Sequence, residues 1–161
     1  MGNYKEKFNL EGKLCFVLGG QGLLGIEICK ALRDFGAEVV CLDIDSEVSQ
    51  ISENEDPKSL SNIYFEEFDC TKIEHSQERL EDLVSKYSHP DVFVNCSYPR
   101  TSDWPESSFE KINVDSLAEN IRLNLVSSAW ISRIFAELMK SNSIGGSIIH
   151  LGSIYGVVGQ N

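Results

Sequence analysis

The order in which two kinds of apolar run follow one another constrains this chain most. Lys13–Leu18 (KLCFVL) is short and nearly continuously apolar, then breaks at Gly19 and Gly20. The next run, Leu23 to Phe35, repeats its apolar residues at helical spacing through Leu24, Ile28, Ala31, Leu32 and Phe35, and Gly36 follows as a stop. A short run without polar alternation is a strand covered on both faces, and a run with 3.6-residue periodicity is a surface helix.

The same alternation continues along the chain. Strands are predicted at Glu38–Leu42, Asn62–Phe68, Asp91–Val94 and Ser147–Leu151. Helices are predicted over 72–87 and from an Asp115 N-cap to about Lys140, the latter with Leu117, Ile121, Leu125, Ala129 and Phe135 as its apolar positions. Residues 44–62, with the acidic run Glu53, Glu55 and Asp56, read as a solvated connection. Strand–helix alternation of this kind makes right-handed βαβ units. The predicted fold class is therefore α/β: a Rossmann doubly wound parallel sheet of strand order 3-2-1-4-5, ending before the C-terminal strands such a sheet usually carries. One domain spans 1–161. Its ligand site is expected at the carboxyl ends of the strands, at the switch between strands one and four.

The first strand–helix junction carries the chemistry. Gly19, Gly20, Gln21, Gly22, Leu23, Leu24 and Gly25 form GGQGLLG, with Gly20-x-Gly22-x-x-Gly25 in register between strand and helix. A pyrophosphate must approach backbone N–H groups at a helix N-terminus, and side chains there would block it. Asp43, 24 residues after Gly19, stands at the end of the second strand with Ile44 beside it. A carboxylate there accepts hydrogen bonds from an adenosine ribose and repels a 2′-phosphate, which favours NAD over NADP. S-adenosylmethionine-dependent methyltransferases also place an acid after strand two and are the competing nucleotide-binding class.

Composition narrows the partners. The chain has 25 Asp and Glu against 14 Lys and Arg, a net charge of −11, which argues against nucleic acid and anionic membrane surfaces. No apolar run approaches the roughly 18 residues of a spanning helix, and the polar N-terminus lacks a signal-peptide core, so a cytoplasmic protein acting on a small-molecule substrate is expected. The five cysteines form no C-x-x-C and read as small buried hydrophobes in a reduced compartment. No histidine has metal-ligand spacing, and no metal is expected.

Several separate positions, in order, resemble the short-chain dehydrogenase/reductase family. GGQGLLG resembles its TGG-x-G-x-x-G loop. Asp69, followed by Cys70, resembles its adenine-contacting acid after strand three. Asn95-Cys96-Ser97 falls where the family has N-N-A-G. Asn124 matches its helix-borne asparagine, and SIIHLGSIYG places Ser153 on its catalytic serine. Within the family, GGQGLLG, VNCSYPR and GSIYGVVG most resemble bacterial oxidoreductases associated with flagellin modification and sialic-acid-like sugar pathways. The resemblance implies hydride transfer between a nicotinamide and a carbonyl or carbinol carbon, with Ser153 bonding the substrate oxygen and Asn124 holding a water in a proton relay.

The family's tyrosine–lysine pair, its general acid/base, is not matched: no Tyr-x-x-x-Lys occurs in these 161 residues. The expectation is a fragment or truncated product, inactive alone and with an exposed apolar sheet edge. A non-catalytic NAD-binding module is the alternative. Arg100 could bind a substrate phosphate or carboxylate, although a salt bridge within its loop is the plainer expectation. Trp104 could cap a substrate or cover its own loop. His150 reads as a packed strand residue. The apolar stripe over 116–140 serves either the core or a homo-oligomer interface.

Overall fold

In the computed structural model, residues 7–45, 60–106, 108 and 110–154 are described. The acidic run Glu53, Glu55 and Asp56 lies outside them. The strands are β1 (Leu14–Leu18), β2 (Glu38–Asp43), β3 (Ile63–Glu67), β4 (Val92–Asn95) and β5 (Ser147–His150). The main helices are α1 (Leu23–Asp34), α2 (Ser76–Tyr87), α3 (Val114–Ile121) and α4 (Ser127–Ser141). All five strands are parallel, in the order β3-β2-β1-β4-β5. This is the Rossmann-like sheet expected from the alternation.

Every residue of β1 is buried, as a central strand covered on both faces requires. On one face Phe16, Leu18, Val40, Leu42 and Phe93 pack with Leu80 and Leu83 of α2 and Ile131 and Phe135 of α4. The Phe93 and Phe135 rings stack with centroids 3.9 Å apart, and Phe16 meets Phe135 edge-on at 5.7 Å. On the other face Cys15, Val17, Val39, Cys41 and Val94 pack with Cys29 of α1. The cysteines are free thiols, four of them buried. Burial pushes the Cys15 thiol up to about 12, so it stays protonated and packs as a small hydrophobe.

Register sets the location of any site. Leu18 lies opposite both Leu42 and Asn95, and Asn95 lies opposite His150. Four strands therefore finish level, and Gly19, Asp43, Cys96 and Leu151 leave the sheet along one line.

The long helix departs from its expected form. Asn113, not Asp115, is the N-cap: its side chain accepts from the Ser116 N–H at 2.9 Å. Between α3 and α4 lies one π turn, Arg122–Val126. The extra residue rotates the apolar phase. Leu123, Ile131, Ile134, Phe135 and Met139 face the core, while Leu117, Ile121, Leu125 and Ala129 face outward with Trp130. Of the predicted stripe, only Phe135 is core. In α1, Gly25 and Cys29 take the buried positions, and Leu24 and Phe35 are exposed.

At the β5 edge Ile149 and Leu151 are 47% and 45% exposed, so the expected apolar edge is present. His150 is exposed rather than buried within the strand, although its ring still meets the core Phe93 edge-on with centroids 6.4 Å apart. Its Nε2 meets Ser132 Oγ of α4 at 2.8 Å, because an edge strand leaves room for the side chain to reach the helix. No helix among the described residues is long and apolar enough to cross a membrane, and no group of three or more metal-ligating side chains occurs among them.

Candidate functional site

A groove of about 570 Å³ runs along the level strand ends. Ten of the predicted cofactor residues line it: Gly19, Gly22, Leu23, Leu24, Gly25, Asp43, Ile44, Cys70, Cys96 and Ser97. Its size suits a ligand larger than a few atoms.

The glycines divide by physical role. Gly19 has φ +71°, and a Cβ there would lie 2.7 Å from the Ser97 backbone nitrogen. A Cβ on Gly25 would lie 2.1 Å from the Gly19 oxygen. A Cβ on Gly20 would lie 2.5 Å from the Cys41 sulfur and 2.9 Å from the Val17 oxygen. The fold itself demands these three. Gly22 is different: its φ of −69° and ψ of 168° suit any residue, and a Cβ would meet only the Gly19 oxygen, at 3.3 Å. Among the described residues that one oxygen is all that would crowd a side chain there, so the fold demands glycine at Gly22 less than at the other three.

Gly22 is also the N-cap of α1, and it supplies no capping side chain. No acid sits in the first turn. The opening N–H groups of α1 have no intrahelical acceptor and carry the positive end of the helix dipole. A phosphate bearing two or three oxygens fits that cradle.

Asp43 is held at the groove rim. Its Oδ2 accepts from the Gln21 N–H and its Oδ1 from the Ile44 N–H, each at 2.9 Å. Each oxygen keeps lone pairs for further donors. Gln21 does not line the groove. It is buried, its Nε2 donates to the Asp45 carbonyl, and its Oε1 is a buried side-chain oxygen without a partner among the described residues. Gln21 therefore clamps the glycine turn to the Asp43–Asp45 strand exit.

Three further predicted residues are arranged differently. Asp69 lines a neighbouring cavity of about 310 Å³ with Lys72, His75 and Arg79. Burial by itself would raise its carboxyl, but hydrogen bonds from Thr71 N–H and Oγ1, at 2.9 and 2.6 Å, outweigh this and hold it below the usual carboxylate range. Asn95 is buried with its amide committed: Nδ2 donates to Ser128 Oγ at 3.0 Å, and Oδ1 accepts from Ser97 N–H and Oγ. It shapes the turn that carries Cys96 and Ser97. Asn124 sits in the π turn and donates to the Pro99 and Asn120 carbonyls, each at 3.2 Å. π turns of this kind concentrate at functional sites.

Ser153 is exposed beyond β5, two residues past Leu151, whose N–H donates to the Asn95 carbonyl at 3.1 Å. It therefore leaves the sheet at the same end as the groove. Tyr98, Pro99 and Arg100 also line the groove. Their place after β4, at a carboxyl strand end, is the signal that marks them. Trp104 packs on Tyr98 edge-on, centroids 5.4 Å apart, and so covers its own loop.

A parallel sheet with an uncapped glycine turn and a rim carboxylate defines a Rossmann-type nucleotide-binding protein. Residues 13–161 match the short chain dehydrogenase family, and the chain belongs to it. It is 32% identical over 152 residues to post-translational flagellin modification protein A of Campylobacter coli, which covers 92% of this chain and 58% of that protein. It is 30% identical over 152 residues to L-fucose dehydrogenase of Oryctolagus cuniculus, covering 92% of this chain and 49% of that protein. A solved short chain dehydrogenase from Leptospira borgpetersenii with bound NAD+ aligns at TM-score 0.78 and 25% identity over 100% of this chain and 58% of that one. A short-chain type dehydrogenase/reductase from Mycobacterium marinum aligns at TM-score 0.84 and 18% identity, over 99% of this chain and 63% of that one. The chain thus spans about half the length of the curated relatives it matches.

Proposed function

We propose that this chain is the cofactor-binding part of an NAD-dependent short-chain dehydrogenase acting on a sugar-like or other small carbonyl or alcohol substrate. The observation that carries the reading is the Gly22 N-cap: an uncapped helix N-terminus whose glycine is the one the fold needs least in the loop, level with the Asp43 carboxylate. The first N–H groups of α1 bind the pyrophosphate, and Asp43 accepts from the adenosine ribose hydroxyls. The exposed Leu23 and Leu24 form an apolar wall of the groove. When bound, the nicotinamide supplies hydride chemistry at a carbon. Ser153 orients the substrate oxygen, and Asn124 positions a water for proton transfer. The sugar-like substrate class draws support from the L-fucose dehydrogenases and the flagellin modification protein among the relatives.

Without Tyr-x-x-x-Lys, these 161 residues supply no general acid/base of the family's kind. The polypeptide is expected to bind NADH and to leave L-fucose, D-glucose and small ketones unconverted. Fluorescence titration with NADH, followed by absorbance assays of turnover, checks both halves. Failure to bind NADH overturns the cofactor reading, and turnover overturns the claim of inactivity. Binding without turnover is equally what a non-catalytic NAD-binding module would show; adding back a polypeptide that carries the missing pair separates the two.

The outward stripe of Leu117, Ile121, Leu125 and Trp130 is the face through which we propose the chain self-associates. Sedimentation velocity should show an oligomer that Leu125→Glu dissociates. A monomeric parent protein would refute this.

A further inference from the structure

We propose that Arg100 is the residue that recognises an oxyanion, a carboxylate or phosphate, on the carbohydrate-type substrate of this groove. The inference rests on the dehydrogenase reading above and specifies its substrate class.

Among the described residues the chain has five arginines, and four are paired with acids. Arg33 pairs with Asp34, Arg79 with Glu66, Arg122 with Glu74 and Glu119, and Arg133 with Glu137. Arg100 has no carboxylate partner among the described residues, in a chain of net charge −11 where acids are abundant. The loop salt bridge expected from the sequence is not formed.

The guanidinium is presented on a tethered loop. On one side the Pro99 carbonyl accepts from Asn124 Nδ2 at 3.2 Å. On the other, Thr101 is buried, and its carbonyl accepts from the Trp104 N–H at 3.1 Å. Arg100 thus emerges at a set point on the rim shared by the cofactor groove and an adjoining cavity of about 580 Å³. That cavity is lined by neutral hydrogen-bonding groups, including Thr71, Thr101, Ser102, Asn113 and Ser116, which suit a polyhydroxylated ligand.

Carboxylates line it too. Hydrogen bonds from Ser116 and Thr101 hold the Asp103 carboxyl below its usual range, and Glu119 lies 3.6 Å from Arg122. Asp115 sits in the first turn of α3, where the helix dipole stabilises it. Arg100 is the one cation lining this cavity, so an anion that enters it against these carboxylates must be held by the guanidinium. Its planar fork binds two oxyanion oxygens at once. The α1 N-terminus already supplies the donors for the cofactor's phosphates.

The test is ligand-observed NMR titration of the 161-residue protein saturated with NADH, using three probes: glucuronate, glucose 6-phosphate and neutral glucose. At least one anionic probe should bind more tightly than glucose, and which one does so separates carboxylate from phosphate. Arg100→Ala should weaken that probe about tenfold or more, as loss of a charge-assisted bidentate contact implies. Arg100→Lys should recover only part of the loss, and NADH affinity should fall by clearly less than anion affinity, since the cofactor's phosphate donors lie at the α1 N-terminus. Circular dichroism confirms folding of both variants. Unchanged anion affinity in Arg100→Ala, absence of anion binding, or an equal loss of NADH affinity overturns the inference while leaving NAD binding standing. Absence of NADH binding by the parent overturns the underlying reading and this one together.

Discussion

Gly22→Ala is expected to fold normally and to bind NADH at least about tenfold more weakly, a loss of about 1.4 kcal/mol or more. The backbone at Gly22 is already in a region alanine prefers, and the added Cβ meets one oxygen at 3.3 Å. A glycine-to-alanine change at a compatible site gains about 0.4–1 kcal/mol from the unfolded chain, which offsets that contact. Stability should therefore stay within about 1 kcal/mol of the parent. On the proposed reading, however, the Cβ stands where a pyrophosphate would approach the α1 N–H groups. Gly25→Ala is the control with the opposite signature. Its Cβ would fall 2.1 Å from the Gly19 oxygen and 2.7 Å from the Gly20 Cα, so the turn must open and the melting temperature must fall. Thermal unfolding and NADH titration of the two variants separate fold from site. Unimpaired NADH binding by Gly22→Ala would remove the main support for a phosphate cradle.

Replacing Asp43 by alanine should weaken NADH more than NADPH, shifting their affinity ratio by about tenfold or more, the value of one or two hydrogen bonds to a charged group. On the proposed reading the carboxylate would accept from two ribose hydroxyls and would oppose a 2′-phosphate by charge. Because Asp43 also accepts from the Gln21 and Ile44 N–H groups, alanine loosens the rim for both nucleotides. The ratio, and not either affinity alone, is therefore the informative quantity. Asp43→Asn keeps an acceptor for the rim and removes the charge, so it should shift the ratio with a smaller overall loss. A ratio moving toward NADH in both variants would discredit the assignment.

The places of these two residues at the strand ends were legible from spacing alone, because each is tied to the chain's local order. Gly22 stands between a strand and a helix, and Asp43 ends the next strand. The strands themselves were legible to within a residue or so, since buried parallel strands are written as short continuous apolar runs. The long helix was located, but its cap was misassigned and its core face was left open. Its apolar residues fit one stripe at ideal spacing, but the π turn at Arg122–Val126 turns Leu117, Ile121 and Leu125 outward and leaves Leu123 and Phe135 inside. An inserted residue is accepted when the packing on both sides gains by it, and no local pattern reports that balance. The same holds for the cap: Asn113 and Asp115 are both suitable residues, and it is Asn113 that takes extended backbone and accepts from the Ser116 N–H.

The candidate site shows the same division. Sequence order alone determined the sheet, its strand order, the glycine turn and the carboxylate that faces it, because hydrophobic periodicity and φ preference act within a few residues. Tertiary structure decided which glycine the fold needs least, that Asn95 spends its amide on Ser97 and Ser128, that His150 reaches Ser132, and that Arg100 stands on the rim without a carboxylate partner among the described residues. Each of these depends on a distance between groups far apart in the chain, and such distances exist only once the two faces of the sheet have been covered.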